Sequence, residues 1–284
     1  MGKRKTIYDF LQMKKEGKKI VFLTSYDFPT AQFAETAGLD MLLVGDSLGM
    51  CVYGYEGTVP VVMDQMIYHA QAVRRGAPNT FVIGDMPFMS YQSSIEKAVE
   101  NAGRFLKEAG CDAIKLEGGK RIAGVIRALV DAGIVVMGHI GLTPQSSGQL
   151  GGHKAQGRTA DLAKLVVEDA LAVQAAGAHM ILLEAIPPEV GAYIATTLTI
   201  PTLSIGAGPG CDGQLLIVSD LIGQFQAFTP KFVKKYCNVA EVVTNAMKSY
   251  CADVRGGAFP EEEHCYRMLE GEEDKFKALM KSGR

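Results

Sequence analysis

The chain has 284 residues, 48% of them hydrophobic, which is enough for one large core and suits a single α/β barrel of about 250 residues. A net charge of -2 leaves no dominant basic face, which speaks against a nucleic-acid partner and for a small neutral or anionic substrate. No apolar run approaches the roughly 18 residues that span a bilayer, and Cys51, Cys111, Cys211, Cys237, Cys251 and Cys265 form no CxxC pair or zinc-like spacing, so reduced thiols in the cytoplasm and no membrane contact are expected.

In chain order, MGKRKT fits the short N-myristoylation pattern at Gly2, a pattern that arises often by chance and an anchor that is weak alone. Residues 1–17 read as a small helix with Thr6 and Asp9 at its start and Gly17 beyond its end. From Ile20 onward short apolar runs alternate with amphipathic ones, the pattern of parallel strands joined by crossover helices. Strands are expected near 20–26, 41–46, 80–86, 113–117, 134–140, 179–185 and 201–206, with an eighth at 214–220. PTAQFAETAG, SSIEKAVENAGRFLKEAG, RIAGVIRALVDAG and ADLAKLVVEDALAVQAAG predict helices, each stopped by a glycine: Gly38, Gly110, Gly133 and Gly177. Beyond about Thr229 the pattern is helical, with Asn238 as a candidate N-cap, and EGEEDKFKALMKSGR is a surface helix or a loose tail. No composition break marks a linker, so residues 1–284 read as one domain: a barrel over about 20–228 and a helical extension over about 229–284.

The predicted strands end in charge. MLLVGDS closes on Asp46, FVIGDM on Asp85, AIKLEG on Lys115 and Glu117, VVMGHI on His139 and ILLEAI on Glu184. Side chains two apart on a strand share a face, so Asp46 is expected to point with Leu42 and Val44, Asp85 with Phe81 and Ile83, and Glu184 with Met180 and Leu182. If those faces look inward, five successive strands bring six polar side chains to the C-terminal rim, where barrel enzymes keep their sites. Taken singly, each has a plainer reading: Asp46 as a helix cap, Lys115 and Glu117 as an ion pair, His139 as a satisfied core histidine. Independent caps have no reason to share one rim, and buried carboxylates need compensation, which a hard divalent ion such as Mg²⁺ supplies; Asp46, Asp85 and Glu117 are its candidate ligands.

Other signals are weaker. Two long Gly-rich loops, SLGMCVYGYEGTVPVVMD and GLTPQSSGQLGGHKAQGR, have the length of binding loops. SIGAGPGCDGQ follows the seventh strand, where barrels bind phosphate, though tight-turn packing explains its glycines as well. His69, Arg74 and Arg75 read as a solvated helix face or a subunit contact, Tyr26 and Asp27 as closing the first strand at the same rim, and Cys51 as an inert thiol.

VGDSLGM, YHAQAVRRGAP, GDMPFMSY, IKLEGG, GHIGLTPQS, GGHKAQGR, LLEAIP, SIGAGPGCDGQ and FPEEEHCY together resemble the ketopantoate (3-methyl-2-oxobutanoate) hydroxymethyltransferase family, from about Ile20 to Tyr266. The resemblance implies a (β/α)₈ TIM barrel of the phosphoenolpyruvate/pyruvate type, one Mg²⁺ per subunit, 5,10-methylenetetrahydrofolate as one-carbon donor and a homodecamer of two pentameric rings. It implies formation of 2-dehydropantoate from 3-methyl-2-oxobutanoate, in pantothenate and coenzyme A biosynthesis, through a magnesium-stabilised enolate. Residue by residue, it implies metal acids at Asp46, Asp85 and Glu117, ketoacid contacts at Asp46, Ser47, Asp85 and Lys115, and Glu184 as base; the rim reading itself adds Lys115 as a catalytic cation, with His139 and Tyr26 in support. This chain departs from the family at Val62, where a polar residue is usual, and in the acidic tail past Arg267. Two rival readings are a carbon–carbon or phosphorus–carbon lyase acting on another 2-oxo acid, and a noncatalytic ketoacid-binding protein.

Overall fold

Eight parallel strands close into a barrel in sequence order, β8 pairing back onto β1. They are β1 Ile20–Thr24, β2 Met41–Val44, β3 Phe81–Asp85, β4 Ala113–Glu117, β5 Val136–Gly141, β6 Met180–Glu184, β7 Thr202–Ile205 and β8 Gly213–Leu216. The computed structural model describes residues 4–283, so Gly2 lies outside the described residues. The chain divides into two compact units, 1–237 and 238–284.

In the first unit, α1 Ile7–Lys15 precedes the barrel, and α2 Phe28–Thr36, α3 Leu48–Cys51, α4 Met63–Gly76, α5 Ile95–Lys107, α6 Ala123–Asp131, α7 Ser147–Leu150, α8 Ala160–Ala175, α9 Pro188–Thr197 and α10 Val218–Leu221 follow in turn. Local chemistry sets their starts: the Asp27, Ser94 and Thr159 side chains accept the N–H groups of Thr30, Lys97 and Leu162. Asp9 reaches back to the Thr6 N–H at 2.6 Å, and the four expected stop glycines all carry positive φ. The eighth strand is shorter than its apolar run suggested. The chain leaves the sheet after Leu216 and turns at once into α10, which moves Asp220 from an expected strand end onto a helix.

Strand alternation sorts the core into two layers. Met41, Leu43, Phe81, Ile83, Met137, Met180 and Leu182 fill the barrel, whereas Leu42, Val44, Val82, Leu116 and Leu183 face outward against the helices. The N-terminal mouth is closed by α1, whose fully buried Phe10 meets Phe81 edge-on at 5.2 Å. Arg74 belongs to this framework rather than to a solvated face: its guanidinium pairs with Asp112 and donates to the carbonyls of Gly110 and Thr80, both at 2.9 Å. Arg75 is exposed, as expected.

In the second unit, α11 Val239–Gly256 and α12 Glu272–Ser282 flank a turn in which Phe259 contacts both Tyr250 and His264. Asn238 occupies the N-cap position without capping; its amide donates instead to Glu241 at 3.0 Å. The acidic tail is helical, with Lys275–Glu272 and Lys277–Glu273 pairs along it. Among the described residues no helix is long and apolar enough to cross a membrane.

Candidate active site

The C-terminal end of the barrel opens into a cavity of about 1010 Å³, and Asp46, Asp85, Lys115, Glu117, His139 and Glu184 all line it. The strands deliver these side chains by the expected alternation in every case but one. Asp85 follows Phe81 and Ile83, Lys115 and Glu117 follow Ala113, and Glu184 follows Met180 and Leu182, all inward. Asp46 does not share a face with Leu42 and Val44, which point outward; β2 stops at Val44, and the turn at Gly45 swings Asp46 over the barrel mouth. Nor is Asp46 a helix cap, since its Oδ2 accepts the Gln145 amide at 2.9 Å.

The six groups form a continuous chain of contacts. The buried Lys115 ammonium lies 2.8 Å from Asp85 Oδ1 and 3.6 Å from Glu117 Oε1. His139 sits between two acids, its Nδ1 3.4 Å from Glu117 and its Nε2 3.1 Å from Glu184. Burial alone would disfavour both cations, but the surrounding carboxylates outweigh it: Lys115 is held above its ordinary pKa and His139 is pushed up to about 9, so both are charged at neutral pH. Asp46 is raised well above the usual carboxylate range, first by burial and then by the charges of Asp85 and Glu117. Asp85 is raised by burial in spite of Lys115. Burial pushes Glu117 the same way, yet Lys115, His139 and the Gln145 N–H together hold it low.

The backbone around Glu184 is tightly specified. Ala185 adopts φ +47°, a left-handed conformation that costs a non-glycine residue about 1–2 kcal/mol. It is held there by its N–H to Ile205 and by its carbonyl accepting from Gln156. Gly141 lies directly across from Glu184, where a Cβ would stand 2.3 Å from the Glu184 carbonyl oxygen, so only glycine lets β5 come this close.

Two supporting residues, Tyr91 at the end of GDMPFMSY and Gln145 within GHIGLTPQS, lie in quoted motifs but receive no role from the sequence. Gln145, buried in the second long loop, donates its backbone N–H to Glu117 Oε2 at 3.0 Å and its side-chain amide to Asp46 Oδ2 and the Met86 carbonyl. Tyr91 fixes that glutamine by donating to its Oε1 at 2.8 Å, and its hydroxyl also accepts the Glu117 N–H. One glutamine thus ties the acid in the turn after β2 to the acid that ends β4. The loop's length marked it as functional; nothing in the local pattern singled out position 145.

The remaining expectations sort cleanly. Tyr26 is buried and its hydroxyl meets Ser47 Oγ at 2.8 Å, so it orients a cavity-lining residue. Asp27 instead caps α2. His69 donates from Nδ1 to the Tyr26 carbonyl and meets the Tyr53 hydroxyl at 3.0 Å, so it braces this loop rather than facing solvent. Cys51 borders the cavity with its thiol pushed up by burial, in keeping with an inert sulfur. Val62 is exposed, begins α4 without a side-chain cap and does not line the cavity, so this departure leaves the pocket wall unaltered. Gly206 and Gly208 border the cavity, and a Cβ at Gly208 would stand 2.4 Å from Pro188, which makes close packing sufficient reason for that glycine.

The donor set suits a hard cation held partly by substrate. Among the described residues no three His, Cys, Asp or Glu side chains converge into a ready cage. Among the described residues nothing hydrogen-bonds Asp46 Oδ1, and Asp85 Oδ1 is buried beside Lys115 but off its hydrogen-bonding direction. Two such oxygens at the base of a cavity match Mg²⁺, which is commonly held by one or two carboxylates with water and substrate oxygens completing its shell. Both Glu117 oxygens are already engaged, by Lys115 and His139 on one side and Gln145 on the other.

Comparison with known proteins gives consistent results. The family model described as ketopantoate hydroxymethyltransferase matches residues 4–262. A 3-methyl-2-oxobutanoate hydroxymethyltransferase of Alkaliphilus metalliredigens is 63% identical over 274 residues, covering 96% of this chain and 97% of its own length. Its counterpart in Heliobacterium modesticaldum is 50% identical, with 98% of this chain and all of that protein covered. Among solved structures, a phosphonopyruvate hydrolase complex with oxalate and Mg²⁺ superposes with a TM-score of 0.60 at 14% identity, covering 98% of each chain. A 2,3-dimethylmalate lyase of the PEP mutase/isocitrate lyase superfamily gives 0.58 at 18% identity, covering 98% of this chain and 97% of its own. At such identities the structural matches establish the shared barrel fold.

Proposed function

Because the chain belongs to the ketopantoate hydroxymethyltransferase family, we propose that it transfers a hydroxymethyl group from 5,10-methylenetetrahydrofolate to 3-methyl-2-oxobutanoate, forming 2-dehydropantoate for pantothenate and coenzyme A biosynthesis. The observation that carries this reading is the unbroken run of contacts from Asp85 through Lys115, Glu117 and His139 to Glu184 inside one cavity. On this reading Glu184 serves as base, Lys115 and His139 as cations and the Asp46 and Asp85 oxygens as metal ligands around space for a small 2-oxo acid.

Asp46 and Asp85 would hold one Mg²⁺ per subunit, with Glu117 at one remove. When bound, that ion supplies Lewis acidity toward the keto and carboxylate oxygens of the substrate. Four carboxylates face two cationic side chains on this rim, and a divalent ion balances the excess. Ser47, oriented by Tyr26, and Lys115 bind the ketoacid. Glu184 removes the C3 proton, its carboxylate set in place by His139 Nε2 at 3.1 Å and by the constrained Ala185 backbone. The Lys115 ammonium, already fixed by Asp85, stabilises negative charge as the enolate forms and needs no reorganisation at that moment. The C3 carbanion then bonds to the folate methylene carbon as that carbon's bond to N10 breaks, N10 taking the proton held by Glu184, and water replaces N5 on the same carbon, giving CH2–OH on the product and N5–H on the released tetrahydrofolate.

A decameric assembly and a cytoplasmic setting complete the reading. The first is supported by Phe33 and Tyr68, large rings left exposed on α2 and α4, and sedimentation analysis tests it. The second is supported by six unpaired cysteines. The central test follows deuterium exchange at C3 of 3-methyl-2-oxobutanoate by NMR with Mg²⁺ present. The parent should exchange C3–H, and Glu184→Gln should slow this about 10²–10⁴-fold while ketoacid affinity changes little. Equal loss of exchange and binding would remove Glu184 as the base. Product formation without folate would favour lyase chemistry.

A further inference from the structure

Among the described residues, one buried acid on the opposite wall of the cavity stands apart from the paired acids of the rim. Asp220, on α10 just after β8, is only 5% exposed and lines the same cavity. Among the described residues its carboxylate has no hydrogen-bond or ion-pair partner; Lys235 acts on it only from beyond ion-pair distance. The adjacent Ser219 hydroxyl is buried beside the Cys51 thiol. By contrast, Asp46 is answered by Gln145, Asp85 and Glu117 by Lys115, and Glu184 by His139. An uncompensated carboxylate at this depth is unfavourable, so the fold keeps it at a cost that a ligand can relieve.

The surroundings define that ligand's chemistry. Phe225, Phe228, Phe232 and Ile217 form an apolar, largely aromatic wall in the same cavity, and Arg158 and Lys231 are exposed among its lining residues. A carboxylate accepts two parallel hydrogen bonds from a group presenting adjacent N–H donors in one plane. A flat heterocycle carrying such an edge, with an anionic tail toward the basic residues, satisfies all three features. Cys51 connects the two sides, because it interacts with Ser219 and with Tyr26, the partner of Ser47.

We propose that Asp220 is a recognition residue for the second substrate, accepting the 2-amino and ring N–H donors of the folate's aminopyrimidinone edge while the rings pack against the aromatic wall. This inference rests on the folate assigned under the proposed function, and the two are tested apart. Folate-independent C3–H exchange by the parent examines only the ketoacid chemistry. Asp220 is examined by calorimetric titration of the whole protein with tetrahydrofolate, without ketoacid or turnover. The expected result is a Kd at least tenfold weaker for Asp220→Asn, with a melting temperature no lower than the parent's because an unpaired buried charge has been removed. A tetrahydrofolate analogue with methyl in place of the 2-amino group should lose at least tenfold against the parent and much less against the variant. A variant Kd within twofold of the parent's, a parent that fails to bind tetrahydrofolate, or a lower melting temperature for the variant would each overturn the assignment.

Discussion

The two ends of the barrel are built from the same strands and obey opposite rules. At the N-terminal end Ile20, Met41, Phe81 and Met180 point inward and Phe10 seals the mouth, so burial there is apolar and self-sufficient. At the C-terminal end the inward positions of β3 to β6 are Asp85, Lys115, Glu117, His139 and Glu184, the first four buried and Glu184 partly so, all held by charge compensation. The difference separates stability from chemistry. Apolar packing lowers the free energy of the fold wherever it occurs, whereas a buried ionic network brings little net stability and is retained for what it does to a ligand.

Substitutions at the two ends should therefore fail in different ways. The largest expected effect is on the sealed end: Phe10→Ala removes a fully buried ring and should cost about 3–5 kcal/mol of unfolding free energy, read from urea denaturation, while the residual folded protein keeps its C3 exchange rate. A rate loss proportionately greater than the loss of folded protein would show that the two ends are not independent. Next comes Gln145→Leu, which takes the side-chain amide away from Asp46 and the Met86 carbonyl while the backbone N–H to Glu117 remains. It should cost about 1–3 kcal/mol in kcat/KM and weaken Mg²⁺ dependence, with a smaller change in stability. Full activity at ordinary Mg²⁺ would make Gln145 a packing residue only.

The smallest effect is the pH dependence of stability, which should belong to the open end. The folded-state pKa of His139, about 9, lies above its unfolded value. Its contribution is then fully present below about pH 6.5, where the unfolded imidazole is also protonated, and is lost as pH rises through about 9. In metal-free protein, urea midpoints should decline between these limits, and the decline attributable to this residue should vanish in His139→Gln. An unchanged slope in the variant would contradict the assignment.

Much of the polar end was legible before any fold was known. Asp85, Lys115, Glu117, His139 and Glu184 sit on regular strands, and alternation alone predicts which way they face. Asp46 reached the same place for another reason: Gly45 ends β2, and the turn, not the pleat, carries the acid inward. Gln145 was invisible because its meaning lies in Asp46, 99 residues away in the chain. Asp220 was misplaced because an apolar run closing on an acid looks the same whether the strand continues or gives way to a turn of helix.

Periodicity, capping residues and stop glycines depend on neighbours within a few positions, so the sequence by itself determined the alternation of strands and helices, the barrel they imply and the family to which the chain belongs. Partnership between side chains depends on closure of the barrel, which brings together atoms that no local spacing relates. Only the tertiary structure decided that His139 bridges Glu117 and Glu184, that Gln145 secures two acids, and that Asp220 is buried without a hydrogen-bond or ion-pair partner among the described residues. The physical reason is the range of the forces: backbone sterics act over one or two turns of chain, while desolvation and charge compensation depend on the whole surrounding volume.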